Sequence, residues 1–494
     1  MMTKKIGILA CLLVAGYLRM QAQGNGNEQY KDADPKELVN RKDLSFDRLE
    51  SIQHYYRYGV KDEARADELE ALLVKKDPKG PFARLVAFHH ITDAKTAAER
   101  LAFCEGFLRD FPLQEWNRNP ARQAFIYYTT FRLLGERYFE DRQFGKLLAT
   151  CGSIDFKTEN EIYRWNVMRA YVFKMVGYDT LYRVSTPLIR DLIAKVKDSS
   201  YIEEGVFDAG KAQENANQQL DNELGTHIQL LCSLEKYQEA KGYFNYLSSG
   251  GRYASADLNL LYMKILGTLG ERDAIQPFLE KCVSVNAVTP EMFAELKKCY
   301  EAKHSGMDGY DKYVASLHNR EEQTAIQSYV REHLCKWEYQ PFALEDAGGQ
   351  LVRSSDWGNK IVVIDFWATW CKPCIEAFPG MQMLIDKYSK DDNVGIYFIG
   401  TMQFGDYKAK SVDYVKRQGY HGFHLLHDAV SKKTGEQNVV FRSFVPFFNS
   451  SGIPRKVVLK DGLLRYTSEG YSGSPSKLVD ELSTVIEYLK AEDK

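Results

Sequence analysis

Lys360-Ile361-Val362-Val363-Ile364-Asp365-Phe366-Trp367-Ala368-Thr369, running straight into Trp370-Cys371-Lys372-Pro373-Cys374, decides how this chain of 494 residues is read. An apolar run of strand length, broken by a single acid, is the pattern of a strand covered on both faces. The stretch predicts a buried strand feeding directly into a helix. A C-x-x-C that opens a helix places its first sulfur beside unpaired backbone N–H groups and the positive end of the macrodipole, which favour thiolate over thiol. Cys371 is therefore the expected nucleophile, and Cys374 the thiol that resolves what it captures.

Asp365 has few purely structural uses in such a run. Buried beneath the cysteines, its carboxyl is expected to be raised toward neutrality by desolvation, which suits it to take and return the proton of Cys374. Lowering a thiol pKa from about 8.5 to 7 raises the thiolate fraction at pH 7 roughly sixteenfold, but the loss of intrinsic nucleophilicity is about fivefold. The net gain in attack is only about threefold, so a low pKa matters as much for making Cys371 a good leaving group. Trp370 and Pro373 are expected to shape access, and Lys372 adds a positive charge that could equally be solvated surface.

Further stretches carry a family resemblance. Pro341-Phe342-Ala343-Leu344-Glu345-Asp346 with Gly349 lies upstream, Pro379 stands five residues after Cys374, Asp365 stands six before Cys371, and Gly452-Ile453-Pro454-Arg455-Lys456-Val457-Val458-Leu459-Lys460-Asp461-Gly462 closes the pattern. Over roughly residues 336 to 494 this resembles the thioredoxin superfamily, and within it the TlpA/ResA-like secreted thiol-disulfide oxidoreductases. The resemblance implies a kink of the active-site helix at Pro379 and a cis Pro454 that lies against the cysteines and keeps a metal from bridging them. It also implies that the Ile453 backbone pairs with a bound substrate strand, that the substrates are protein thiols and disulfides, and that a membrane donor supplies electrons for reduction. No cofactor is implied beyond a redox-active Cys371–Cys374 disulfide. Two departures stand out: Ala377 occupies a position where many such chains have glutamate, with Glu376 one residue earlier, and Arg455 replaces a small hydroxyl residue. With the long aromatic segment from Gln437 to Ser451, this suggests unusual substrate contacts.

Residues 1–22 fit a secretory signal, with Lys4 and Lys5, an apolar run from Ile6 to Tyr17, and Met20-Gln21-Ala22 as the cleavage site. No later segment reaches the roughly 18 apolar residues of a membrane span. An exported, periplasmic protein is expected. Ile8-Leu9-Ala10-Cys11 loosely resembles a lipoprotein box, but the apolar run continues past Cys11, which favours an ordinary signal over a lipid anchor. Cleavage removes Lys4, Lys5 and Arg19 and takes the formal charge from −2 to −5, which argues against nucleic-acid partners. Cys104, Cys151, Cys232, Cys282, Cys299 and Cys335 form no spacing framework, and apolar neighbours fit buried thiols better than disulfides.

Residues 23–335 read as almost continuous helix, with aromatic and leucine residues at three- and four-residue spacing. Ala240 and Ala274 recur 34 residues apart in similar turns, the tetratricopeptide period. A third turn, Gly306 to Tyr310, and earlier helical pairs around Ala121 to Leu148 and Ile162 to Val196 extend a repeat-like domain able to bind a protein partner. A plain helical bundle is the alternative. Lys336 to Gln340 is the expected junction with an α/β domain of mixed sheet over 336–494, ordered strand, helix, strand, helix, strand, strand, helix. A zinc site is the chemical competitor for the C-x-x-C, but it needs further ligands. The run His421, His424, His427 lies where Gly419 and Gly422 suggest a loop turning into a strand. No phosphate loop, serine elbow or H-E-x-x-H occurs, and a cysteine pair in place of a lone peroxidatic cysteine disfavours peroxidase chemistry. Disulfide exchange is the expected activity, against a helical scaffold with a non-catalytic docking module.

Overall fold

The computed structural model describes residues 26–116, 124–199, 201–202, 208–304 and 306–492. The expected signal segment, Cys11 and the start of the Ala121–Leu148 pair lie outside the described residues. The chain divides into two compact units, 1–219 and 220–494, with the division inside the helix Ala209–Ser233.

The first unit is helical. Its helices start on side-chain caps, as at Ser45, Asp62 and Asp155, and Thr96 with Glu99 forms a reciprocal capping box. Leu38, Leu49, Ile52, Leu69 and Leu73 close one core, and the buried Lys195 ammonium sits 2.5 Å from Glu159.

The second unit begins with helices and ends on a sheet. After the helix Tyr237–Tyr243 come α1 (Ala256–Thr268), α2 (Ile275–Ser284), α3 (Pro290–His304), α4 (Tyr310–Leu317) and α5 (Arg320–His333). Helix gives way to strand between His333 and β1 (Trp337–Glu338). A small hairpin, β2 (Ala343–Glu345) and β3 (Leu351–Arg353), precedes β4 (Ile361–Trp367). There follow α6 (Lys372–Glu376), α7 (Phe378–Tyr388), β5 (Val394–Gly400), α8 (Tyr407–Arg417), β6 (His424–His427), α9 (Val439–Phe444), β7 (Arg455–Lys460), β8 (Leu463–Glu469) and α10 (Pro475–Ala491). The six-stranded sheet runs β1-β8-β7-β4-β5-β6. The pairs β4/β5 and β5/β6 are parallel and the rest antiparallel, the mixed sheet expected.

Every residue of β4 is buried, and its alternation sorts the two cores. Ile361, Val363 and Trp367 pack with Cys371, Cys374, α7 and α10 on one face, while Val362, Ile364 and Phe366 meet α9 on the other. One difference from the expected order of elements follows from tertiary pairing: strand β6 is a four-residue segment that pairs along the free edge of β5. The active-site helix breaks at Ala377, between α6 and α7, because Pro379 has no N–H to continue the ladder; this is the kink that the resemblance implies.

Of the helices of 220–335 in this unit, α3 lies against α7 and α5 against α10. Ile326 and Val330 of α5 enter the core beneath α10, and Met383 of α7 lines a cleft with Pro290 and Phe293 of α3.

Candidate active site

Cys371 caps the N-terminus of α6 in an extended backbone conformation, and its carbonyl accepts from the N–H groups of Cys374 and Ile375. The two cysteines are joined as a disulfide, with Cα atoms 5.3 Å apart. Cys371 keeps 4% of its surface exposed and Cys374 none, so an incoming sulfur can meet only the first. The Ile453–Pro454 peptide is cis, Pro454 is buried, and the Ile453 carbonyl oxygen lies 3.8 Å from Cys371 Sγ.

Asp365 is fully buried. Strand alternation with Val363 and Trp367 puts its side chain on the cysteine side of the sheet. Desolvation pushes its carboxyl up to about 6, opposed by the positive charge of Lys456.

Set beside known proteins, residues 338–462 match the model of the AhpC/TSA family. Over 78 residues the chain is 32% identical to the thiol-disulfide oxidoreductase ResA of Bacillus subtilis, 16% of this chain and 41% of that one. Over 49 residues it is 45% identical to ResA of Geobacillus kaustophilus, 10% of this chain and 28% of the relative. The chain thus spans less than half the length of these curated relatives. A DsbF homologue from Corynebacterium diphtheriae overlaps 31% of this chain and 87% of its own at 19% identity and a TM-score of 0.24. The exposed lipoprotein thioredoxin of Streptococcus pneumoniae overlaps 31% and 99% at 21% identity and a TM-score of 0.23. The C-terminal domain is thioredoxin-like.

Within the thioredoxin-like domain the other residues singled out from sequence fall at the rim. Trp370 is half exposed, and its indole N–H donates to the Met402 carbonyl at 2.7 Å. Pro373 occupies the first turn of α6. Lys372 is exposed and pairs with Glu376 one turn on at 3.3 Å, a solvated pair of little energetic weight. Arg455, which replaces the small hydroxyl residue, is buried: its guanidinium donates to the Ser450 carbonyl and hydroxyl, pairs with Glu469 at 3.0 Å and lies 4.3 Å from the Phe448 ring centroid. It holds the loop that precedes cis-Pro454. The aromatic segment before it packs inward, with Phe441 and Phe444 against Phe366.

Two sets of contacts escape a sequence reading. The Gln403 side chain accepts from the backbone and hydroxyl of Thr369, while the Gln403 backbone N–H donates to the Gln437 side chain; this braces the loop that presents Phe404, 75% exposed, beside Trp370. The other is Lys456, which follows Arg455 and precedes the apolar run Val457-Val458-Leu459 in β7, with no local pattern to mark it. The three histidines do not converge: His421 pairs with Asp386, His427 is buried, and His424 is exposed beside Tyr397. Among the described residues no group of three or more His, Cys, Asp or Glu could hold a metal ion, and no helix is long and apolar enough to cross a membrane. The six other cysteines are free thiols, and burial pushes Cys104 and Cys282 up to about 12.

Proposed function

We propose that this protein is an exported thiol-disulfide oxidoreductase that exchanges disulfides with protein substrates through Cys371 and Cys374, working as a reductant. The observation that carries the reading is the placing of two bonded cysteines, one with a small part of its surface exposed and one wholly buried, on the first turn of a helix against cis-Pro454 and on the same side of the sheet as a buried acid. In the reduced protein, Cys371 thiolate attacks a substrate disulfide. A Cys371–substrate bond forms, and one substrate sulfur leaves as thiolate. Cys374, giving its proton to Asp365, then attacks Cys371 Sγ, so that the enzyme disulfide forms and the second substrate sulfur leaves with the electron pair. The substrate has gained two electrons and the enzyme has lost them. A dithiol donor restores the reduced pair, at a membrane in the TlpA/ResA-like reading.

Trp370, Pro373 and Lys372 border the approach to Cys371, and the backbone beside Ile453 and Pro454 offers the edge on which an extended substrate segment pairs. The helical N-terminal region recruits or positions a protein partner. Export is supported by the signal-like residues 1–22.

The test is insulin reduction by the full chain with dithiothreitol as donor. Exchange abolished in Cys371→Ser supports catalysis, and Cys374→Ser in the native compartment is expected to accumulate mixed disulfides through Cys371. Absence of exchange by the wild-type chain with its pair intact would favour the scaffold reading instead.

A further inference from the structure

Residues 247–254, ahead of α1, form a braced loop in the helical segment. The Asp221 carboxylate, from the helix Ala209–Ser233, accepts from the Ser248 N–H at 2.8 Å and from its hydroxyl at 2.6 Å, and the Gly251 N–H donates to the Ser248 hydroxyl at 2.9 Å. The buried Asn259 amide of α1 ties this loop to the residues after α2, donating to the Tyr253 carbonyl at 3.1 Å and the Ala287 carbonyl at 3.0 Å. Between loop and α2 lies a cleft of about 630 Å³, lined by Ser249, Gly250, Arg252 and Lys281. Arg252 and Tyr253 also line a second recess of about 270 Å³, walled by Phe244, Tyr262 and Phe278. The Tyr262 ring centroid lies 4.5 Å from that of Phe244 and 4.8 Å from that of Phe278.

We propose that this cleft is a docking site for an acidic, aromatic-containing segment of a partner polypeptide, with a side-chain carboxylate between Arg252 and Lys281 and a neighbouring aromatic ring in the recess of Phe244, Tyr262 and Phe278. The inference deepens the recruiting role proposed above for the helical region and rests on it.

Charge selects the occupant. Arg252 and Lys281 are exposed, and among the described residues neither forms an ion pair. The carboxylate beneath the loop, Asp221, is engaged by Ser248. Two unpaired cations on one cleft repel each other, and a carboxylate set between them relieves the repulsion and gains charge-assisted hydrogen bonds. Volume and aromatic lining exclude a bare anion as the matching ligand, since cavities of several hundred Å³ are filled by larger molecules and the recess would stay empty. Ser249, Gly250, Arg252, Ala254 and Lys281 are all exposed, so the cleft is open along the loop and admits a passing chain. The braces hold its walls before anything binds, which lowers the ordering cost of association.

Both walls lead to the thioredoxin-like domain. Two residues beyond Ala254, the Ala256 N–H donates to the Gly473 carbonyl at 3.3 Å, and one beyond Val285 the Asn286 carbonyl accepts from the Ser474 hydroxyl at 2.6 Å. Gly470, in the same turn, donates to the Pro454 carbonyl at 2.9 Å. A partner held in the cleft is held beside the domain that carries the cysteines.

The experiment is fluorescence anisotropy of a rhodamine-labelled peptide, blocked at both ends, with Phe-Glu-Phe-Asp at its centre, titrated with the full chain. The peptide with Gln and Asn for its acids is expected to bind roughly tenfold more weakly, as is the peptide with Ala for both Phe. Arg252→Gln with Lys281→Gln is expected to weaken the acidic peptide to a similar degree while keeping the wild-type thermal midpoint, both side chains being exposed. Arg252→Glu with Lys281→Glu is expected to reverse the preference, taking a Phe-Lys-Phe-Lys peptide over the acidic one. Equal affinity for the acidic and amide peptides, or affinity unmoved in the Gln double variant, overturns the site. Competition by inorganic phosphate, or by Ala-Ala-Phe with a free terminal carboxylate, as effective as that of the unlabelled acidic peptide overturns the occupant. Insulin reduction by the same wild-type preparation keeps the two readings apart. A chain that reduces insulin but binds no acidic peptide overturns the docking site alone; one that binds the peptide without reducing insulin supports the docking site and counts against exchange.

Discussion

Asp365 is wholly buried with a carboxyl raised to about 6, while the same residue in an unfolded chain titrates near 4. The folded state therefore binds a proton that the unfolded state has lost between roughly pH 4 and 6, so this group costs stability above that window and nothing below it. A hundredfold tighter hold on the proton corresponds to about 3 kcal/mol, at roughly 1.4 kcal/mol for each factor of ten. Asp365→Asn, which removes this titration, is expected to change stability more favourably at pH 7 than at pH 4 by about that amount, while the cost of leaving the buried Lys456 ammonium without its counter-charge falls at both pH values alike. Urea denaturation at the two pH values checks this, and equal changes at both would refute it. Asp365 could be singled out from sequence because a lone acid in a buried strand is costly wherever the strand pairs. Lys456 could not, because which cation faces the acid depends on strand register, and a slip of one residue would put Arg455 there instead.

Helices α7 and α10 cross at Gly380, where an added Cβ would lie 2.9 Å from Leu478 Cδ2, 3.0 Å from the Pro475 carbonyl oxygen and 3.1 Å from the Pro475 Cα. Two of those neighbours are backbone and cannot swing aside. Gly380→Ala is therefore expected to destabilise by roughly 1–3 kcal/mol despite its better helix propensity, read as a lower urea midpoint. Arg455 works at the same scale: Arg455→Met removes both bonds to Ser450, the Glu469 pair and the contact with Phe448. The expected cost is about 2–4 kcal/mol, with faster amide exchange in residues 449–452 than in β4. Elements with strong local signals were legible. Strand β4 has the bounds its apolar run suggests, and the Asp461-Gly462 turn, both residues at positive φ, joins the two strands as expected. Strand β6 was legible only as a loop turning into a strand after Gly419 and Gly422; its four residues carry two histidines, and its place in the sheet is set by the edge of β5 that offers partners.

Across residues 220–494, polar contacts tie the helical segment to the thioredoxin-like domain. Ser474 donates to the Asn286 carbonyl at 2.6 Å, Val288 and Ser476 bond reciprocally, and the Asn286 amide reaches Asp480 at 2.8 Å. Ser476→Ala leaves the Val288 N–H buried and unpaired, for an expected loss of about 1–3 kcal/mol. If these elements unfold together, the urea midpoint read by tryptophan fluorescence falls along with protection at Val288; loss of protection at Val288 alone would mean that they open separately. The change from helix to strand after His333 was legible, because periodicity is a property of neighbouring residues. What lies across it was not, since the Val288–Ser476 contact joins residues 188 apart in the chain. By itself the sequence determined the reactive core: three residues of spacing put both sulfurs on one helical turn, and an apolar strand delivers them, by local geometry alone. Only the tertiary structure decided which lysine faces the buried acid, which loop Arg455 braces and which helices lie against α7 and α10. Those contacts arise from register and packing between segments far apart in the chain, whose pairing no local pattern encodes.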